Sequence, residues 1–96
     1  MAFGSGRKSV SLEEILEKTS EANIAARYLD IIEIPCVINS PLRTDRKPSF
    51  GIYVYEGKVR YTDFATGEKG GLFDLLSQMW RLSYNEVLER IADDFV

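Results

Sequence analysis

The sequence predicts an α+β domain: a small antiparallel β-sheet built on a central hairpin and flanked by N-terminal and C-terminal helices. Three observations carry this. Two capping-box signatures, Ser11-Leu12-Glu13-Glu14 and Ser83-Tyr84-Asn85-Glu86, each open an apolar run at helical spacing. Between them, Ser49 to Tyr55 alternates as a strand does, and Lys58 to Thr62 returns after the turn signal Glu56-Gly57. The length, 96 residues, suits one domain of this kind.

Taken in order, residues 1–10 read as a flexible segment with the linker-like Gly4-Ser5-Gly6, and residues 11–96 as the folded domain. Leu12, Ile15 and Leu16 share one helical face, and Ser20 caps a second helix that carries Ile24, Ala25, Tyr28 and Leu29. Ile31 to Ile38 is β-branched and interrupted by Pro35, which predicts a short edge strand near Cys36-Val37-Ile38. Asn39 to Lys47 and Asp63 to Gly71 read as loops. Leu72, Phe73, Leu75, Leu76, Met79 and Trp80 mark a largely buried helix. The last helix turns Val87, Leu88, Ile91, Ala92 and Phe95 inward. Phe73, Met79, Trp80 and Phe95 are most simply core residues, and Cys36 a small buried hydrophobe.

Composition excludes several kinds of chemistry. There is no histidine, and Cys36 is the single cysteine, so neither an internal disulfide nor a structural zinc site of four Cys or His ligands can form. Nucleophilic triads that need histidine are excluded too. No apolar run approaches a membrane span and no secretory signal is visible, so the expected location is cytoplasmic. The net charge is -3, yet it is unevenly spread. Arg43 to Arg60 holds five basic residues against two acidic ones, while the remainder holds seven basic and thirteen acidic. A basic centre on an acidic body can still attract phosphate.

The order of motifs carries more than any one of them. Ser40-Pro41-Leu42-Arg43 and then Lys47-Pro48-Ser49-Phe50 are similar to a Cys-Pro-x-His followed by Lys-x-Pro-Ser-Phe. Tyr61-Thr62-Asp63-Phe64-Ala65-Thr66-Gly67 is similar to Tyr-x-Cys-Phe-x-Cys-Gly. Gly70 with Phe73-Asp74-Leu75-Leu76, and Leu82-Ser83 with Val87 to Ala92, follow in the same order. From about residue 11 to 95 the chain thus resembles the N-terminal zinc-binding domain of DnaG-type DNA primases, in a zinc-less, phage-like or plasmid-like variant. The resemblance implies that Ser40, Arg43, Asp63 and Thr66 occupy former zinc-ligand positions. That set cannot bind zinc as thiolate and imidazole do, so no metal and no other cofactor is expected. Because zinc supplies folding free energy in small domains, something must replace it. An Arg43–Asp63 ion pair, assisted by the Ser40 and Thr66 hydroxyls, would bridge the two loops. The plainer expectation is that both loops are solvated and the helices carry the stability.

The resemblance further implies engagement of single-stranded template DNA, alone or as part of a primase, beside a separate catalytic domain or a helicase or polymerase. Arg43, Arg46, Lys47, Lys58, Arg60 and Lys69 are candidates for phosphate contact. Tyr61 and Phe64, together with Tyr53 and Tyr55, are candidates for stacking on bases. Tyr53 and Tyr55 share one strand face and Ile52 and Val54 the other, and the sequence leaves open which face packs on the helices. The plainer reading of the cations is a solvated strand edge that resists aggregation. Gly67, Gly70 and Gly71 could cradle phosphate but suit turn geometry better, and Asp74 suits a helix N-terminus. No convergent acid–base set is present, so no catalysis is expected of this chain alone. The alternative is a protein–protein interaction module of a replication complex that has lost DNA binding.

Overall fold

A computed structural model describes residues 10–44 and 47–95. Residues 1–9 of the segment expected to be flexible, and Arg46, lie outside the described residues, whereas Val10, its last residue, is partly buried against the core. The elements run α1 (Leu12–Lys18), α2 (Glu21–Leu29), β1 (Cys36–Ile38), β2 (Phe50–Tyr55), β3 (Lys58–Asp63), β4 (Lys69–Gly71), α3 (Leu72–Trp80) and α4 (Tyr84–Phe95). The fold is α+β, with one antiparallel sheet in the order β1-β2-β3-β4.

Local chemistry sets the helix starts. Ser11 Oγ accepts from the Glu14 N–H while Glu14 reaches back to the Ser11 N–H, a complete capping box. Ser83 and Glu86 repeat the arrangement before α4, and Ser20 caps α2 through the Asn23 N–H. Asp74 stands at the start of α3, where its carboxylate accepts from the Gly71 N–H at 3.3 Å. Asp30 and Arg81 end α2 and α3 in the left-handed conformation.

The β2–β3 turn has both central residues at positive φ, Glu56 at 52° and Gly57 at 78°, as a two-residue hairpin requires. It sets Tyr55 opposite Lys58, Tyr53 opposite Arg60 and Ile52 opposite Tyr61. The sheet is one strand wider than the sequence suggests. Lys69-Gly70-Gly71, expected to be loop, pairs with Arg60 to Thr62 as β4, and Asp63 ends β3 rather than beginning a loop. A Cβ on Gly70 would come within 3.1 Å of the Tyr61 ring, so a strand with almost no side chains fits closely against its neighbour.

Alternation divides the sheet into two unlike faces. Phe50, Ile52, Val59 and Tyr61 point to the inner face and pack with Ile15, Ile24, Leu72, Leu75, Leu76, Val87 and Ile91. Phe50 and Tyr61 stack with their ring centroids 5.0 Å apart. Phe73, Met79, Trp80, Phe95 and Cys36 are partly buried at the margin of this core. There Tyr28 meets Trp80 edge-on at 4.8 Å and donates to the Asp94 carboxylate, while Arg90 lies 4.0 Å above the Trp80 ring. No helix among the described residues is long and apolar enough to cross a membrane.

A pair of leucine truncations tests this layering. Leu75→Ala, at a fully buried position, is expected to cost about 2–5 kcal/mol in urea unfolding. Leu16→Ala, on a side chain 39% exposed, should cost less than about 1 kcal/mol.

Candidate nucleic-acid interface

The region between β1 and β2 and the region between β3 and β4 meet at one carboxylate. Arg43 donates from both ends of its guanidinium to Asp63, at 2.5 and 3.0 Å, a two-point pair in which the Asp63 side chain is 1% exposed and that of Arg43 34%. The same carboxylate accepts from the Ala65 N–H at 2.9 Å and the Thr66 N–H at 3.3 Å. The Asp63 backbone holds the loop as well: its N–H donates to the Glu68 carbonyl and its carbonyl accepts from Gly67, each at 2.7 Å. The hydrogen bonds from Arg43 foremost hold the Asp63 pKa at about 2, against the desolvation that burial imposes.

The two hydroxyls behave differently from expectation. Ser40, 5% exposed, accepts from the Leu42 N–H at 3.1 Å, and Thr66 accepts from the Glu68 N–H at 3.2 Å. Each closes a turn in its own loop, which is what a short hydroxyl side chain favours. The donor set does not suit zinc. One of its four members is a guanidinium, and the single carboxylate is engaged by four N–H groups. No cluster of three or more His, Cys, Asp or Glu able to hold a metal occurs among the described residues.

The outer face of the sheet carries the remaining candidates. Register places Tyr53, Tyr55, Lys58, Arg60, Thr62 and Lys69 together on it. Tyr53, Tyr55, Lys58, Arg60 and Lys69 line one open depression of about 490 Å³, with Glu56 at its rim. Lys58 and Lys69 are exposed and Arg60 half-buried. Tyr53 is oriented by a 3.0 Å hydrogen bond between its hydroxyl and Thr62 Oγ1. Phe64 follows Asp63, donates its N–H to the Ser49 carbonyl at 2.8 Å and leaves its ring 63% exposed.

Three sequence candidates fall elsewhere. Tyr61 is 3% exposed on the inner face, its hydroxyl accepting from Gln78 at 3.1 Å, so its ring is closed to any base. Arg43 is engaged by Asp63, so its charge is locally neutralised. Lys47 is exposed in the segment leading to β2. Tyr53 and Tyr55 lie on the outer face, while Ile52 on the other packs beneath the helices. The signal was present in the hairpin itself: a two-residue turn puts both tyrosines opposite Lys58 and Arg60, and cations do not pack beneath helices. Gly67, at φ 84°, takes a turn conformation that glycine favours, and Gly70 and Gly71 belong to β4.

Comparison with known proteins adds one relation. Over 83 residues the chain is 30% identical to a DNA primase of Thermotoga maritima, a stretch covering 84% of this chain and 14% of that protein. No family model matches the chain, and no solved structure matches it.

The ion pair makes a signed prediction. A carboxyl whose folded pKa is lowered to about 2 contributes stability that is fully present above its unfolded value near 3.8 and is lost as pH falls toward 2. Asp63→Asn should therefore be less stable than the parent at neutral pH. The gap in urea midpoint should close between about pH 4 and pH 2. A constant gap across that window would show that Asp63 ionisation does not support the fold. Excess chelator should leave the thermal transition unmoved, because the donor set does not suit zinc.

Proposed function

We propose that this chain is a primase-related DNA-replication domain that engages single-stranded template DNA on the open face of its sheet. The observation that carries the reading is the juxtaposition of Tyr53 and Tyr55 with Lys58, Arg60 and Lys69 in one depression. Proteins that hold single strands combine cations along the backbone path with aromatic rings on which bases stack. Similarity to a DNA primase over 84% of the chain supports the same assignment. The chain spans 14% of that protein, and the role assigned to it is template contact rather than nucleotide polymerisation.

Ser40, Arg43, Asp63 and Thr66 are read as the positions of a lost metal centre. The order of the flanking motifs and the Arg43–Asp63 pair that joins the two regions support this. The reading as an interaction module draws on a different surface. Ile32 is fully exposed and, with Ile34, Val54 and Ala26, borders a depression of about 270 Å³ beside α2 that Asn23 and Glu33 also line. A helicase or polymerase of the replication complex is the class of protein it would serve.

Binding of a labelled single-stranded oligonucleotide across a salt series separates the two readings. Template engagement predicts affinity that falls with salt at a slope of about -0.7 per phosphate contacted. Arg60→Glu and Lys69→Glu should each weaken binding about tenfold or more and make that slope shallower. Tyr53→Ala should cost about 1–3 kcal/mol with the slope unchanged. No binding even at low salt would overturn the template reading in favour of the interaction module.

A further inference from the structure

Phe64 is a large apolar side chain that the core does not use. Its ring is 63% exposed, yet its position is prescribed. Its own N–H is fixed to Ser49, and the preceding residue is the buried Asp63. The ring lies over Gly51 so closely that a Cβ there would meet Cζ at 2.9 Å and Cε2 at 3.0 Å. Any side chain at position 51 would displace the ring. Beside it, Pro35, Val37 and Tyr53 complete an apolar depression of about 340 Å³ on the outer face, within the range of about 300–1,000 Å³ common for small-ligand sites. Tyr53 lines both this depression and the basic one, so the two adjoin at its side chain.

We propose that the depression between Phe64 and Tyr53, bordered by Pro35 and Val37, is a slot for one unstacked nucleobase of the bound strand. A flat apolar group would enter between the two aromatic rings, and the phosphates attached to it would lie toward Arg60, Lys58 and Lys69. A ligand that joins a planar ring system to an anion a few bonds away is a nucleotide, and that is the chemistry the paired depressions fit. The inference rests on the single-strand reading above and adds the place where one base is held.

The test compares oligo-dT with an oligonucleotide of the same length whose sugars carry no bases, both titrated with the full chain at low salt and across a salt series. The parent protein is expected to prefer the base-bearing strand by about tenfold or more. Gly51→Ala, which pushes the Phe64 ring aside without altering either aromatic, and Phe64→Ala, which removes it, should each reduce that preference by about tenfold at an unchanged salt slope. Circular dichroism and melting of both variants check that the sheet is intact. Phe64→Ala, at an exposed position, keeps the test decisive if Gly51→Ala does not fold. A parent that binds both strands equally, or variants that retain the full preference, would overturn the slot while leaving the basic depression as the binding surface. Failure of the parent to bind either strand would overturn both.

Discussion

The loop between β1 and β2 and the loop between β3 and β4, already neighbours through the Phe50–Asp63 strand pairing and the Phe64–Ser49 hydrogen bond, are locked together by the Asp63 carboxylate. The guanidinium of Arg43 joins it from one side and the backbone of residues 65 and 66 from the other. The importance of this contact lies in its geometry more than in its strength. Charge pairs removed from water recover little net energy, because desolvation opposes the attraction, whereas a half-made pair is costly. A two-point pair between a planar fork and a carboxylate admits few relative orientations, and so fixes how the regions meet. Arg43 joins the two regions, and Asp63, Ser40 and Thr66 each shape the chain next to themselves.

The outer face inherits its form from that arrangement. Asp63 is the last residue of β3 and directs its side chain inward, so Phe64, next along the chain, emerges on the opposite side. Gly51 gives the ring room to settle against the strand. Inside, Phe50 and Tyr61 form a stacked pair beneath the same two strands. The aromatic residues of this segment are thus divided between support and exposure: Phe50 and Tyr61 below, Tyr53, Tyr55 and Phe64 above. A reading that groups Tyr61 with Phe64 because they are near in sequence misses that strand alternation separates them.

Much of the architecture is legible because it is written in short-range chemistry. The capping boxes at Ser11 and Ser83, the Ser20 cap and the Glu56-Gly57 turn all concern groups within a few residues of one another. What eluded the sequence depends on partners far along the chain. Lys69-Gly70-Gly71 has no alternation and no β-branched residue, and becomes a strand only because the β3 edge offers hydrogen bonds and the glycines permit close approach. The face on which Tyr53 and Tyr55 lie follows from Val59 and Tyr61 reaching the helices, a tertiary fact, although Lys58 and Arg60 opposite the tyrosines hinted at it. The Arg43–Asp63 contact, twenty residues apart in sequence, has no periodic signature. It was accessible only through the ordered resemblance of the flanking motifs.

Because every helix that covers the sheet does so from the same side, the molecule separates its obligations. Ile52, Val59 and Phe50 answer to the interior, and their freedom to change is small. Tyr55, Lys58 and Lys69 are exposed on the outer face, so exchanging them leaves the packed layer undisturbed. Such a scaffold can drift in what it recognises, gaining or losing an affinity by a few surface exchanges, while natural selection for a folded product scarcely registers the difference.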